Sequence, residues 1–382
     1  MPAYSICGHG ALIADAGRVN AFVTALRQKV RPGDTVLDIG TGIGIWAFVA
    51  CRLGARKVYA VEPDQVVHVA RKAAVANGFA DRIEFVQDLS TRIELPEKVD
   101  GIVADIRGAL PLFNGSLVTL LDAQERMLKP GGWIIPERDT LWAALVSDHK
   151  AYHDFVGLWD SRPLDLDLSA FRTTACAEWG RRRMTPDTVI SAAAQWATID
   201  YSTLAEQRVR GTASWCVDRP NVAHGLCVWF DMEAPGIGLS NSPCSDEDHV
   251  YSRTYFPWGH PVELVSGDSI SVEIAADPLG DDYLWRWNTR VRSADGSERV
   301  HFEQSTFDSS HLSLERLRRR AHTHRPELNV DGEIDRMILD RFGNGSSLET
   351  IAREVAERFP VKFPTWQKAL TRVATLSAQY SK

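Results

Sequence analysis

The chain has 382 residues with 44% hydrophobic content and 12 tryptophans, enough for two or three domains with sizeable cores. Its formal net charge of −7 and pI of about 5.9 argue against nucleic acid as the main partner. The six cysteines form no C-x-x-C pair, so we expect reduced thiols in a cytoplasmic protein and no metal site. We expect no signal peptide, because the start (Met1-Pro-Ala-Tyr-Ser5) lacks a basic flank and a long apolar core. No apolar run approaches the ~20 residues of a membrane span, so we expect no membrane partner.

A glycine-rich turn between two apolar strands is the most informative segment. The apolar run Thr35–Leu37 predicts a buried strand, which ends in Asp38. Glycines follow at every second position: Gly40, Gly42 and Gly44. Glycine has no Cβ, so the backbone here can approach a ligand closely. A second apolar strand, Lys57–Val61, ends in Glu62, whose carboxylate can accept hydrogen bonds from ribose hydroxyls.

The glycine spacing departs from the dinucleotide-binding fingerprint. Ile45 stands where the third glycine of that fingerprint would fall. The turn, with Asp38 before it, therefore suits a ligand without a pyrophosphate, and S-adenosylmethionine is such a ligand. Taken alone, the turn is equally consistent with a plain strand-to-helix connection.

The alternation of strands and helices continues beyond the turn. Three further apolar segments end in an acid or a turn: Arg82–Asp88, Val99–Asp105 and Leu128–Pro136. Strands separated by helical stretches predict a parallel sheet, and open sheets of this kind bind ligands at the carboxyl ends of the strands. We therefore predict a cofactor domain over residues 1–136.

Short strands punctuated by glycine and proline follow from about residue 137 to 310 and predict a barrel or sandwich. The predicted strands are Leu141–Val146, Val189–Tyr201, Leu226–Met232, Ser269–Ile274 and Tyr283–Val291. Residues 311–382 differ from both halves. Glu315–Arg320 reads as a basic linker or helix, and apolar residues then recur at helical spacing in three segments up to the C-terminus. This three-helix unit is either a structural cap or a peptide-binding module.

Residues 1 to about 310 resemble the protein arginine methyltransferase family. The similarity includes the segment from His9 to Arg18 (HGALIADAGR), the glycine turn, and the later segments His224–Phe230 and Thr254–Trp258. The resemblance implies a seven-strand class I methyltransferase domain, which is Rossmann-like and of the α/β class, followed by a β-barrel. It also implies a helical dimerisation insert near residues 150–180, and hence a homodimer, although an amphipathic hairpin on the barrel would look the same.

The resemblance also implies roles for the residues that match. Arg18 would hold the methionine carboxylate of S-adenosylmethionine, and His9 would act as a lid; the alternative for Arg18 is a surface helix position. The remaining cofactor-binding residues would be Asp38, Gly40, Gly42, Gly44, Glu62, Pro63, Asp88 and Leu89. Thr91 stands where the family usually has a glutamate on the adenine side.

The residues that would recognise an arginine substrate depart from the family pattern. The two glutamates of the family fall on Asp105 and Asn114, so one acid is shorter and the other is neutral. The Thr-His-Trp motif falls on His249-Val250-Tyr251. Arg107 lies within the same loop, where a cation would repel a guanidinium and attract an anion; alternatively it pairs with Asp105 or faces water.

These departures predict a methyltransferase that acts on an oxygen or nitrogen of a non-guanidinium small molecule or peptide. Asp105, Asn114 and His249 are the predicted catalytic residues. Two alternatives remain. One is arginine methylation with an acid supplied from elsewhere, such as the run Asp246–Asp248. The other is a catalytically silent cofactor-binding regulator.

Overall fold

Five apolar segments form a parallel sheet in the order β3-β2-β1-β4-β5. Their bounds are Thr35–Ile39 (β1), Lys57–Val61 (β2), Ile83–Val86 (β3), Val99–Ala104 (β4) and Leu128–Ile135 (β5). Every residue of β1 is buried, as expected for a central strand of a sheet that is covered on both faces. The carboxyl ends of β1, β2 and β4 therefore meet at one edge of the sheet.

The computed structural model describes residues 5–280, 282–309, 318–319 and 321–381. The chain divides into two units, Met1–Ser310 and His311–Lys382. Most of the basic segment Glu315–Arg320 lies outside the described residues. None of the helices in the described part of the chain has both the length and the apolar character needed to cross a membrane.

Helices pack against the parallel sheet and carry part of the cofactor motif. They are Ile6–Ala14 (α1), Ala16–Lys29 (α2), Ile45–Arg52 (α3), Val67–Ala76 (α4) and Ser116–Arg126 (α5), with a 3₁₀ turn at Ser90–Arg92. The carboxylate of Asp15 caps α2 by accepting the backbone N–H of Arg18 at 2.9 Å. On the buried face of α2, Phe22 stacks on Trp46 of α3 with ring centroids 4.7 Å apart. This packing holds α2, and with it Arg18, beside the sheet edge.

The α/β class followed by a barrel domain agrees with the sequence prediction. The parallel sheet, however, has five strands where the resemblance implies seven. The next strand of the chain, Arg138–Val146 (β6), runs antiparallel to the long strand Asn221–Ala234 (β10) and belongs to the barrel domain.

Two antiparallel sheets make up the rest of the first unit. One has the order β7-β12-β10-β6-β8, with β11 also paired to β10, and the other has the order β15-β14-β13-β9. The remaining bounds are Gly180–Arg182 (β7), Ala194–Asp200 (β8), Val209–Cys216 (β9), Ile237–Ser240 (β11), Arg253–Leu264 (β12), Ser269–Leu279 (β13), Asp282–Arg292 (β14) and Glu298–Phe302 (β15). Fully buried aromatic side chains fill the space between them, with Phe256 edge-on to Trp287 at 5.1 Å.

A helical insert separates β6 from β8. It contains His149–Phe155 (α6), Ala170–Cys176 (α7) and 3₁₀ turns at Gly157–Asp160, Pro163–Asp165 and Pro186–Thr188. The insert leaves apolar side chains in solvent, most of all Leu164, which is 90% exposed. An exposed apolar group of this kind is typical of an interaction surface.

The second unit contains three helices, as the periodicity predicts: Val330–Asp340, Leu348–Arg358 and Trp366–Tyr380. Their buried apolar residues form a core of their own, which includes Ile338, Val355 and Val373. Ser347 caps the second helix by accepting the N–H of Thr350 at 3.2 Å. The third helix begins two residues after Pro364.

Candidate active site

A cavity of about 260 Å³ opens at the carboxyl ends of β1, β2 and β4. One side, here called the cofactor half, is lined by His9, Gly40, Gly42, Glu62, Pro63, Asp88 and Leu89. The other side, the acceptor half, is lined by Arg18, Asp105, Arg107, Asn114, Arg181 and Tyr251. Ten of the thirteen predicted site residues thus line one cavity, whereas Asp38, Gly44 and His249 do not.

The glycine turn forms the floor of the cofactor half. Gly40 and Gly42 have φ of +70° and +53°, in the left-handed region that favours glycine. A Cβ on Gly42 would come within 2.9 Å of the His9 ring, so the turn leaves no space for a side chain. Glu62 fixes this geometry, because its Oε2 accepts the Gly42 N–H at 2.9 Å and its Oε1 accepts the Asp64 N–H at 3.0 Å.

Asp38 has a different role from the one predicted. It is fully buried and does not line the cavity. Its carboxylate accepts the Thr41 hydroxyl at 2.6 Å and the Ala47 N–H at 3.0 Å, so it ties the turn to the start of α3. Burial raises the pKa of Asp38 to about 7. Gly44 likewise serves the turn as the left-handed N-cap of α3.

His9 lies over the glycine turn and is buried. Burial lowers the pKa of its imidazole, although the nearby carboxylates of Glu62 and Asp64 oppose that shift. The ring is therefore mostly neutral at pH 7, and it lies where the predicted lid would be.

Asp105 follows β4 and carries the charge of the acceptor half. Its Oδ2 accepts the Nε–H of Arg18 at 2.6 Å, and its Oδ1 accepts the Tyr251 hydroxyl at 2.8 Å. Burial by itself would raise the pKa of Asp105, but the charges of Arg18 and Arg107 and the Tyr251 hydroxyl lower it below the usual value. Asp105 is thus ionised. Arg18, which we predicted would hold the cofactor carboxylate, is paired with Asp105 in this structure.

Arg107 does not face water. Its Nη1–H donates to Asp139 at 3.1 Å and its Nη2–H to Asp105 at 3.4 Å. The aromatic rings of Phe22, Phe230 and Tyr251 surround its guanidinium at 5.4–5.5 Å. The Tyr201 hydroxyl donates to the other oxygen of Asp139 at 2.5 Å. The sequence analysis missed Asp139 and Tyr201. The signal that could have found Asp139 is an acid at a buried position of the largely apolar strand β6.

Asn114 lies at the cavity in a backbone conformation that few residues adopt. Its φ is +47°, which asparagine tolerates better than most side chains. Its backbone N–H donates to Asp282 at 3.1 Å, so the barrel domain fixes the loop. The position predicted for the second substrate-binding residue therefore lines the cavity as expected.

His249 is not placed to act as a base. Its Nδ1 lies 3.0 Å from Oδ1 of Asp15, its side chain is 3% exposed, and it does not line the cavity. The register of the loop turns the next two residues, Val250 and Tyr251, toward the cavity instead.

The acids proposed as substitutes for a missing glutamate lie elsewhere. Asp248 pairs with Arg253 and Arg183, and Glu247 lies 3.5 Å from the His249 ring. Neither they nor Asp246 line the cavity. Among the described residues, no group of three or more His, Cys, Asp or Glu side chains could hold a metal ion.

The cavity can bind a nucleoside at one end and a charged acceptor at the other. Its cofactor half offers the backbone of Gly40 and Gly42 and the carboxylates of Glu62 and Asp88. Its acceptor half offers one ionised carboxylate, Asp105, among three arginines. A cavity of this kind can orient two reactants, and orientation supplies much of the acceleration of a group transfer.

Comparisons with known proteins find both family models and individual relatives that match this chain. Two family models match consecutive segments: "Ribosomal protein L11 methyltransferase (PrmA)" over residues 20–136 and "Arginine methyltransferase oligomerization subdomain" over residues 137–290. Protein arginine N-methyltransferase 6 of Danio rerio is 28% identical over 322 residues, which cover 80% of this chain and 91% of the relative. The Xenopus laevis protein of the same name is 27% identical over 285 residues, covering 71% and 83%.

Solved structures show the same fold. Arabidopsis thaliana protein arginine methyltransferase 10 superposes with a TM-score of 0.68 at 22% identity, covering 79% of this chain and 97% of that one. The Trypanosoma brucei PRMT1 enzyme–prozyme complex with AdoHcy gives 0.72 at 22% identity, covering 79% and 98%.

Proposed function

Because the chain belongs to the protein arginine methyltransferase family and is an S-adenosylmethionine-dependent methyltransferase, we propose that it methylates a guanidinium nitrogen of an arginine side chain. The non-guanidinium acceptor expected from the sequence is not supported by these relatives, which are named arginine N-methyltransferases. The observation that carries the proposal is the ionised carboxylate of Asp105 in the acceptor half of the cavity.

The residues of the cofactor half fit S-adenosylmethionine. Gly40 and Gly42 bring backbone without side chains to the cavity wall, and Glu62 presents a carboxylate at the end of β2 for ribose hydroxyls. Pro63, Asp88 and Leu89 would border the nucleoside, and Arg18 would hold the carboxylate. When bound, the cofactor supplies a methyl group on a positively charged sulfur.

Arg18 links the two halves. In this structure it neutralises Asp105. If Arg18 pairs with a cofactor carboxylate, Asp105 loses that partner and keeps its contacts to Arg107 and Tyr251. Arg107 is itself neutralised by Asp139. Asp105 then has a net negative charge available for a guanidinium, and Asn114 offers a neutral amide oxygen as a second acceptor.

The chain's own residues have modest chemical tasks in this reaction. Asp105 orients the guanidinium and compensates its charge, and Tyr251 fixes Asp105 in turn. The aromatic and aliphatic walls exclude water. With the cofactor bound, these residues would hold a guanidinium nitrogen against the methyl group, and this proximity would supply much of the acceleration.

The test is transfer of a labelled methyl group from S-adenosylmethionine to synthetic peptides. We expect label in an arginine-containing peptide and none in the same peptide with lysine in place of arginine. Absence of label in every arginine acceptor would refute the proposal.

A second candidate follows from the charges of the lining. Three arginines (Arg18, Arg107 and Arg181) are matched there by three acids (Glu62, Asp88 and Asp105), so the cavity lacks the strong negative charge that a guanidinium favours. Transfer to an oxygen or nitrogen of a neutral or anionic small molecule or peptide would fit that balance. Incubation of a lysate with the enzyme and labelled cofactor, followed by mass spectrometry, separates the two candidates.

We also propose a homodimer formed through the insert between β6 and β8. The segment falls within the match to an oligomerization subdomain, and it exposes Leu158, Leu164, Leu166 and Phe171. Light scattering should give twice the 42.5 kDa mass of the chain, and Leu164→Asp should shift the measured mass toward the monomer.

A cytoplasmic location is proposed because each of the six cysteines is a free thiol.

A further inference from the structure

Arg181 is the one arginine of the acceptor half without a charged partner among the described residues. It lies on β7, opposite Thr254 of β12, and lines the cavity. Arg18 is bound to Asp105, and Arg107 is bound to Asp105 and Asp139. Within the described part of the chain, the Arg181 guanidinium makes neither an ion pair nor a hydrogen bond.

The charges that remain after internal pairing define what the acceptor half can bind. This step rests on the proposed function. If a cofactor carboxylate occupies Arg18, and Asp139 neutralises Arg107, two charges are left: the anion of Asp105 and the cation of Arg181. The site is then dipolar, whereas a site with two carboxylates would be wholly anionic. A dipolar site is complementary to an acceptor that carries one cation and one anion.

We infer that the acceptor is a guanidinium group with a carboxylate close to it, and that Arg181 determines specificity by binding that carboxylate. An arginine guanidinium can bind a carboxylate through two parallel hydrogen bonds. An acceptor flanked by lysine or arginine would instead bring a second cation against Arg181. The carboxylate can come from a neighbouring Asp or Glu of a peptide or from the α-carboxylate of arginine itself.

The chain offers a matched control for this role. Arg183 is two residues away and also exposed, but it pairs with Asp248 at 2.9 Å and does not line the cavity. Arg183→Ala therefore removes the same charge from the same segment without changing the acceptor half. Arg181→Lys keeps the charge and removes the planar two-pronged donor.

Steady-state methylation of five acceptors tests the inference. Three peptides differ only beside the target arginine, with Glu, Gln or Lys there; the other two acceptors are free arginine and argininamide. For the wild-type enzyme we expect KM for the Glu peptide to be roughly threefold to tenfold below that for the Gln peptide, as for a partly exposed ion pair, with the Lys peptide highest. The kcat values should agree within about twofold, because the bound carboxylate takes no part in the methyl transfer itself.

The variants decide whether Arg181 is responsible. Arg181→Ala should remove the preference for Glu, Arg181→Glu should reverse it toward Lys, and Arg183→Ala should leave it unchanged. Arg181→Lys should keep part of it. A preference for free arginine over argininamide would identify the α-carboxylate as a second source of the anion.

Two results would overturn the inference in distinguishable ways. If the wild-type enzyme methylates all arginine peptides with equal KM, or if the Arg181 and Arg183 variants behave alike, the role of Arg181 is wrong while the proposed function stands. If no arginine acceptor takes up label, both are wrong.

Discussion

The two halves of the cavity are built on different principles. The cofactor half is made largely of backbone and of two carboxylates, Glu62 and Asp88, and Glu62 accepts the N–H groups of Gly42 and Asp64. The acceptor half depends on side chains that are far apart in sequence. Asp105 is 87 residues from Arg18 and 146 from Tyr251, and it contacts both. Backbone geometry thus determines what the cofactor half can bind, and the balance of side-chain charges determines what the acceptor half can bind.

This contrast predicts that the acceptor half contributes more to stability. Asp139→Asn would leave the buried cation of Arg107 with Asp105, at 3.4 Å, as its one charged partner among the described residues. Breaking a buried pair in this way should cost about 3–5 kcal/mol of unfolding free energy. Urea denaturation measures the loss.

The double variant Arg107→Met/Asp139→Leu removes both charges and is the control. It should be less destabilised than Asp139→Asn, because no unpaired ion remains in the interior. Equal unfolding midpoints for wild type and Asp139→Asn would show that the Arg107–Asp139 ion pair does not stabilise the fold.

The cofactor half should lose affinity when its carboxylate is removed. Glu62→Ala deletes the ribose acceptor and loosens the Gly42 turn, so S-adenosylmethionine binding should weaken by about 2–4 kcal/mol. Calorimetry measures this. Glu84→Ala, which removes a carboxylate paired with Lys57 away from the cavity, should bind normally. Unchanged affinity of Glu62→Ala would refute the cofactor assignment.

Removal of the Asp105 carboxylate should instead reduce turnover and not cofactor affinity. Asp105→Asn keeps the shape but removes the charge that orients a guanidinium. Turnover should fall by roughly 100-fold, about 2.7 kcal/mol, a size usual for a lost charge-assisted contact in a transition state. Cofactor affinity should not fall, because the substitution releases Arg18 from Asp105 and leaves it available for the cofactor carboxylate. A fall in cofactor affinity with turnover intact would reverse the roles of the two halves.

A substitution at Asn114 should make the acceptor half more negatively charged, with a smaller effect than the loss of Asp105. Asn114→Asp adds a carboxylate and tolerates the φ of +47° better than glutamate would. We expect KM for an arginine peptide flanked by Lys to fall by roughly threefold to fivefold, about 1 kcal/mol. Asn114→Ser is the neutral control. An unchanged KM in the Asp variant would show that Asn114 does not face the bound acceptor.

The last prediction is a pH dependence of the unfolding free energy that comes from Asp38, which is buried behind the glycine turn. Burial raises the pKa of Asp38 from 3.8 to about 7, so between these values the folded state binds more protons than the unfolded state. Stability from this group is therefore fully present below about pH 4 and is lost as pH rises toward 7. Asp38→Asn should flatten the unfolding free energy across that window. An identical slope in both proteins would contradict the prediction.

Much of the fold was predictable because it depends on local periodicity. Apolar runs that end in acids predicted the parallel strands, and glycine spacing predicted a turn that now shows positive φ at Gly40, Gly42 and Gly44. The three C-terminal helices followed from apolar residues at helical spacing. Strand bounds were less accurate: Val189–Tyr201 was predicted as one strand, but only Ala194–Asp200 is extended.

The sequence by itself determined the identity of the strands and the position of the glycine turn, because each depends on residue type and near neighbours. Only the tertiary structure decided which charges cancel. It paired Arg18 with Asp105, Arg107 with Asp139 and His249 with Asp15, and it placed Arg181 at the cavity without a charged partner among the described residues. The physical reason is that electrostatic pairing depends on distance and burial in three dimensions, and spacing along the chain does not encode contacts between residues that are 32 to 234 positions apart.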